Sequence, residues 1–297
     1  MTGALNFACK RVENLQSRDR PTGCRSTQKW NRMMKPSPAT ADNIAYYKQN
    51  GFIRFQDFFS KVEVDTLRDA IDAAIASNRD RILGAPRGGR STEDYERVFN
   101  QMVNLWRDYP EVKPFSFNER LAETARRLSG AENVRIYHDH AMIKPGGQGS
   151  KETNWHQDLP YWPMDPAGAL SAWIAVDDVT LENGCLHFVP GSYKFGKLEP
   201  IKLGANGESI VTKMKERGYK LPNAVSMEMP AGSVTFHHGC NFHYAGPNRT
   251  DKPRRAFAII YIPDYVMFTG NKDAAGAAEE MSPGGPWEHP LHPVLAP

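Results

Sequence analysis

Two short stretches of the chain hold side chains able to grip a metal ion. In Trp155-His156-Gln157-Asp158 an imidazole and a carboxylate stand two residues apart. On an extended strand, or at its end, residues i and i+2 point to the same face, so this pair can supply two ligands to one ion. The second stretch, Phe236-His237-His238-Gly239-Cys240-Asn241-Phe242-His243, offers three more imidazoles, any of which could complete the set. Two histidines and one carboxylate form a facial triad, which leaves the other coordination positions open and suits iron(II) in oxygenases. Taken alone, the H-x-D tripeptide is weak, because the same residues serve as a structural hydrogen-bonding pair on many surface loops. What surrounds it decides.

The elements that must position these groups are strand-like. Segments near Val134 to Lys144, Leu170 to Val179, Cys185 to Val189, Ala224 to Met229, Ser233 to His237 and Ala256 to Ile262 alternate or run apolar and are separated by turn dipeptides. Asn183-Gly184 is a hairpin signal, since both residues tolerate positive φ, and Pro190-Gly191-Ser192 closes the next strand in a similar way. Helices come earlier. One spans the residues after Asp42 and ends at Gly51, ahead of a strand Phe52 to Phe55. A second runs from Val62 to Ile75 behind Ser60 as cap, and a third covers Phe117 to Leu128 and stops at Gly130. Arg81 to Asp94, rich in Gly and Arg, reads as a mobile loop. A β-rich carboxy-terminal half flanked by amino-terminal helices predicts a barrel or double-sheet jelly roll.

The run after His243, Tyr244-Ala245-Gly246-Pro247-Asn248-Arg249-Thr250-Asp251-Lys252-Pro253-Arg254-Arg255, is turn-rich and leads into a strand. A histidine at the end of one strand and an arginine at the start of the next can lie side by side in a barrel. Four features stand in order: His156-Gln157-Asp158; Asn183-Gly184-Cys185-Leu186 with Val189-Pro190-Gly191-Ser192; His243 through Asn248; and Thr250 to Arg254. Together they resemble the phytanoyl-CoA dioxygenase family, including its bacterial ectoine-hydroxylase-like branches, over roughly Asp42 to Asp264.

The resemblance implies a mainly β chain with flanking helices and a double-stranded β-helix, cupin-like core. It also implies Fe(II) held by His156, Asp158 and His243, with 2-oxoglutarate and O2 as cosubstrates. His237 and His238 would be strand-end bystanders. Arg254 would hold the far carboxylate of 2-oxoglutarate through paired charge-assisted hydrogen bonds, with Arg255 as its competitor; neighbours on a strand face opposite ways, so only one can serve. Trp173 and His140 match positions at or near the cosubstrate, with a core aromatic and a core or rim histidine as the alternatives, and Gln101 is a further residue that could approach it. Ala245 departs from many relatives, which place a serine there to bond the cosubstrate; losing one such bond weakens affinity by about 1 kcal/mol. Asp158 favours hydroxylation of a small organic substrate, because related halogenases replace that carboxylate with a small residue. Trp155, Leu159, Tyr161, Trp162 and Met164 predict an aromatic wall for an apolar or ring-shaped substrate. A non-catalytic metal-binding member of the fold, or a cupin-like metalloenzyme without 2-oxoglutarate, are the rival readings.

Bulk properties narrow the field. The chain has 297 residues, 40% of them hydrophobic, enough for one large domain over residues 42–297 behind a flexible basic extension over residues 1–41. A formal charge of +3 with 24% charged residues and no basic stripe interleaved with aromatics argues against nucleic acid. Four scattered cysteines, no apolar run near the roughly 18 residues of a membrane span and no secretory h-region predict a cytoplasmic protein with no membrane partner. The Pro/Gly-rich tail from Ser282 is a candidate cover for the site.

Overall fold

The computed structural model describes residues 37–77, 100–147, 150–202, 208–271 and 280–296. Three amino-terminal helices form where periodicity and caps place them. Helix α1 (Ala41–Asn50) starts at Thr40, whose side chain accepts from the Asn43 amide, and ends at Gly51 in the left-handed region at φ 82°. After strand β1 (Phe52–Phe55), helix α2 (Lys61–Ser77) opens on a capping box in which Ser60 and Glu63 bond each other's amides at 2.7 and 3.4 Å. Helix α5 (Glu119–Ser129) begins at the Asn118 cap and stops at Gly130. Between α2 and α5 lie strand β2 (Asn100–Val103) and the one-turn helices α3 (Leu105–Asp108) and α4 (Lys113–Ser116), which the sequence pattern does not reveal.

The carboxy-terminal half supplies β3 (Val134–Lys144), β4 (Thr153–His156), β5 (Met164–Asp165), β6 (Leu170–Ala175), β7 (Leu186–Phe188), β8 (Val225–Met227), β9 (Val234–His238), β10 (His243–Ala245), β11 (Arg254–Pro263), β12 (Met267–Phe268) and β13 (Val294–Ala296), with helix α6 (Ile210–Glu216) before β8. The larger sheet has the order β1-β9-β6-β11-β3-β13, with β2 also on β3; the smaller has the order β4-β10-β7-β8. This is a mainly β, double-stranded β-helix with flanking helices. Apolar side chains of both sheets, among them Trp173, Ala258, Leu186, Phe188 and Ala245, form one cluster between them, while α2 and α5 cover the outer face of the larger sheet with Leu67, Ile71, Leu121 and Leu128.

Asn183-Gly184 corrects one expectation. It does make a turn, with Asn183 Oδ1 accepting from Thr180 N at 2.8 Å and Cys185 N donating to Thr180 O at 3.0 Å, but it does not close a hairpin. The strands it joins lie in different sheets: β6 pairs with β9 and β11, and β7 with β10 and β8. All six residues of β6 are buried, so its backbone groups need a strand on each side, and that demand overrides the local turn signal. Gly184 matters for another reason. Its φ is +89°, and a Cβ there would collide with the Gly246 carbonyl oxygen, so the glycine lets the crossing turn lie against the chain just after β10.

The tail does not cover the cavity described below. Trp287 is buried against Tyr137 and Phe268, and β13 pairs with β3, so this segment finishes the edge of the larger sheet. Residues 1–36 of the extension expected over residues 1–41, and the loop Arg81 to Asp94, lie outside the described residues.

Candidate active site

Strand alternation builds the site. On the inner face of the larger sheet, residues an even number apart line up as His138, His140 and Met142 on β3, Arg254, Ala258 and Ile260 on β11, and Ser171 and Trp173 on β6; all of them line one cavity of about 320 Å³. The register sets Ala258 between His140 on one side and Trp173 on the other, and Arg254 beside Lys144 towards one end of the sheet. Across the cavity, the smaller sheet sets His243 of β10 directly opposite His156 of β4.

His156, Asp158 and His243 each offer an atom, and these three atoms lie within 4.8 Å of one another. Asp158 Oδ1 is 3.4 Å from His156 Nε2 and 3.5 Å from His243 Nε2. The other ring nitrogens are turned away: His156 Nδ1 contacts Asn154 O at 2.6 Å and His243 Nδ1 contacts Asn241 O at 3.1 Å. A carbonyl can only accept, so each Nδ1 carries the proton and each Nε2 presents a lone pair to the centre. Burial, with His156 beside it, pushes His243 down to about 3, so that ring is neutral. Burial raises the Asp158 pKa, but the imidazoles of His243, His156 and His237 outweigh this and hold its carboxyl well below the usual range. A carboxylate with two inward lone pairs is the donor set of a divalent transition metal.

Gln157, between the two ligands, is buried scaffolding. Its amide nitrogen donates to Gly196 O and Cys240 O, both at 2.8 Å, and its oxygen accepts from Leu198 N at 3.0 Å. Asn248 does the same for the loop leading to β11. Its Nδ2 reaches the carbonyls of Lys144, Pro145 and Lys252 at 3.1, 3.1 and 2.8 Å, and its Oδ1 accepts from Thr250 N and Oγ1. The Asn-x-Thr spacing is thus a clamp that fixes where Arg254 enters the sheet.

Arg254 and Arg255 part as strand neighbours must. Arg255 turns outward to Asp72 and Asp177, at 2.7 and 3.1 Å. Arg254 is 2% exposed, lies 5.4 Å from the Trp173 ring centre, and its Nε and Nη1 have no hydrogen-bond partner. Burial pulls its guanidinium down to about 10. Burial, with the charge of Arg254 nearby, also pulls Lys144 down to about 7. An orphaned, buried cation facing a cavity is a cradle for an anion.

The other expected residues divide. Trp173 and His140 line the cavity, and His140 Nε2 is buried without a partner; burial pushes that imidazole to about 4. Gln101 lies on β2, and its side chain is outside the described residues. Of the expected aromatic wall, Tyr161 and Trp162 line the cavity, whereas Leu159 and Met164 are spent in the core between the sheets and Trp155 stacks on Tyr244. Ala245 lines the cavity, as its place after His243 requires. Of the two expected bystanders, His238 lies off the cavity lining, accepting from Cys240 N at 3.0 Å. His237 lines the cavity, with its Nε2 3.4 Å from Asp158 Oδ2. Alternation separates the two, since His237 shares the inner face of β9 with Thr235 and His238 points away. His138 escaped sequence reading too, although it sits two residues from His140 on the same strand and lines the cavity.

The sequence model of the family described as phytanoyl-CoA dioxygenase matches residues 47–256. The chain belongs to the phytanoyl-CoA dioxygenase family. Among curated relatives, the ectoine dioxygenase of Bordetella parapertussis is 27% identical over 247 residues, covering 75% of each chain. Among solved structures, the non-haem α-ketoglutarate-dependent carbocyclase SnoK of nogalamycin biosynthesis superposes with a TM-score of 0.72 at 24% identity, over 88% of this chain and 99% of that one. The epimerase SnoN, solved with Fe3+, α-ketoglutarate and nogalamycin RO, gives 0.66 at 23% identity, over 85% and 96%. The chain is thus an enzyme of the iron- and 2-oxoglutarate-dependent dioxygenase class, which removes the non-catalytic reading. No helix among the described residues is long and apolar enough to cross a membrane.

Proposed function

We propose that this phytanoyl-CoA dioxygenase family member hydroxylates an aliphatic C–H bond of a small organic substrate, with His156, Asp158 and His243 holding iron(II) and Arg254 anchoring 2-oxoglutarate. One juxtaposition carries the reading: a His-Asp-His donor set and a partnerless buried guanidinium open onto the same cavity. A metalloenzyme that did not bind an anion there would keep Arg254 buried and uncompensated for no return.

Iron(II) with 2-oxoglutarate and dioxygen supplies oxidative decarboxylation to succinate and carbon dioxide, coupled to oxidation of the substrate. The chain's residues orient and enclose. The backbone carbonyls of Asn154 and Asn241 keep His156 and His243 in the metal-binding tautomer. Arg254, braced by Trp173, sets the cosubstrate's far end. Trp162 and Ile260 present apolar surface to a substrate, and the low-pKa imidazoles of His138 and His140 offer it uncharged hydrogen-bonding groups. The carboxylate at position 158 fills the coordination position a halogenase leaves to chloride, which supports hydroxylation.

Anaerobic titration of the iron(II) protein with 2-oxoglutarate tests this, through the visible charge-transfer absorption of a chelated 2-oxo acid. An iron-loaded protein that develops no such absorption sinks the cosubstrate assignment. His156→Ala, Asp158→Ala and His243→Ala should each abolish succinate formation, while His238→Ala keeps it; product analysis by mass spectrometry reads a gain of one oxygen atom.

A further inference from the structure

The carboxylate of Asp158 has two oxygens with different surroundings. Oδ1 faces the imidazoles of His156 and His243 at 3.4 and 3.5 Å. Oδ2 faces the larger sheet, where Ser171 Oγ donates to it at 3.3 Å and His237 Nε2 lies at 3.4 Å. Ser171 on β6 and His237 on β9 are direct register partners, so one rung of that sheet presents both groups. Both residues are 3% exposed, and the His237 ring is packed between Phe188 and His243, with ring centres 5.2 and 4.9 Å away. Its Nδ1 is buried without a partner. A proton there would be an orphaned donor, so the ring's proton belongs on Nε2, where the carboxylate accepts it. His237 also lies outside the trio of donor atoms within 4.8 Å, so it is not a further ligand of the same ion.

We infer that His237 and Ser171 are positioning residues that hold Asp158 Oδ2 back, so that the carboxylate meets the metal through Oδ1 alone. The inference rests on the iron and 2-oxoglutarate reading above. An octahedral ion that takes one atom from each of three side chains and two from the cosubstrate has a single position left for dioxygen. A carboxylate bound through both oxygens takes that position. The brace from the larger sheet keeps it open, and it acts through Asp158 without touching cosubstrate or substrate. The sequence held the signal in His237, on the strand face opposite to that of His238, but the partner Ser171 is 66 residues away and no local pattern joins them.

The test uses the full chain loaded with Mn(II), whose effect on solvent-proton relaxation reports metal-bound water. In the wild type, adding 2-oxoglutarate should lower the relaxation enhancement but leave the contribution of a remaining water. In His237→Phe, and more fully in His237→Phe with Ser171→Ala, that remainder should fall severalfold as Oδ2 takes the position. His237→Gln, which keeps an N–H donor, should restore it. With iron(II), kcat/KM for dioxygen should drop about tenfold in the double variant while KM for 2-oxoglutarate stays near the wild-type value. Ser171→Ala alone, a change of one oxygen atom, gives the same readout with little demand on folding. A double variant that keeps the wild-type remainder overturns the inference, as does a loss confined to Mn(II) affinity. Wild-type protein that shows no response to 2-oxoglutarate instead refutes the cosubstrate reading.

Discussion

Arg254→Met and Arg255→Met should move stability in opposite directions, and only the first should affect cosubstrate binding. Arg254 is buried with Nε and Nη1 unbonded, and burial pulls it from an ordinary 12.5 to about 10. Keeping that charge in the folded chain costs about 3 kcal/mol. A base whose folded pKa lies below its unfolded value contributes stability above the unfolded pKa and loses it as pH falls through the folded one, so at neutral pH the whole cost is present. Removing the charge also removes the contact with Trp173, worth about 1 kcal/mol. The Arg254→Met protein without cosubstrate should therefore be about 2 kcal/mol more stable than wild type. Arg255→Met breaks part-exposed ion pairs to Asp72 and Asp177 and should cost about 1 kcal/mol.

Urea unfolding of the metal-loaded proteins, with and without 2-oxoglutarate, reads both effects. At a concentration 100-fold above Kd the ligand should add about 2.7 kcal/mol to wild type and to Arg255→Met, and nothing to Arg254→Met. If Arg254→Met is less stable than wild type without ligand, the orphaned-cation reasoning is wrong. If Arg255→Met loses the ligand increment and Arg254→Met keeps it, the wrong arginine has been chosen.

Asp139 faces away from the cavity and accepts from Leu105 N, Trp106 N and Ser116 Oγ at 2.6, 2.8 and 2.7 Å; burial nonetheless raises its carboxyl to about 6. An acid with a raised folded pKa loses stability as pH rises, so between about pH 4 and pH 6 wild type should lose about 3 kcal/mol relative to Asp139→Asn in parallel urea titrations; a flat difference across that range would contradict the assignment. Gly184→Ala forces an alanine to φ near +89° and its methyl against the Gly246 carbonyl and, at 3.1 Å, Lys144 Cδ. It should cost about 2 kcal/mol and raise KM for 2-oxoglutarate, because β10 and the cavity-lining Ala245 shift with that carbonyl; unchanged KM in a destabilised protein would show that the turn is structural only.

How much of this was legible in the sequence depended on whether the cause was local. Helix ends were readable because Ser60 accepts from an amide three residues on, and Gly51 and Gly130 donate to carbonyls four residues back. That His156 and Asp158 share a face was readable from their i, i+2 spacing, whereas the choice of His243 among three histidines came from the resemblance. Which of Arg254 and Arg255 turns to the cavity needed only the knowledge of which face of β11 is inside. Partnership between strands was not readable. Asn183-Gly184 gives a correct turn and a wrong pairing, since β6 chooses its neighbours by burial on both faces. Leu159 and Met164 look like site residues by proximity in sequence, yet they turn into the core between the sheets. His237 reads as a spare histidine until β6 and β9 are placed side by side.

That placement also shows how the two sheets divide the work. The smaller sheet and the turn after it carry the three proposed metal ligands: β4 gives His156, β10 gives His243, and Asp158 follows β4, its amide bonded to Gly239 O at 2.9 Å. The larger sheet carries the groups proposed to bear on the metal's remaining positions: Arg254 at one end of its inner face and the Ser171–His237 rung near the other. Asp158 is where they meet, one oxygen turned to each sheet. A change confined to the smaller sheet should remove metal, whereas a change on the inner face of the larger sheet should leave metal bound and alter what else can reach it. This separation follows from the fold, because only a closed pair of sheets brings strands from residues 134–144, 170–175, 234–238 and 254–263 to one face opposite the donors.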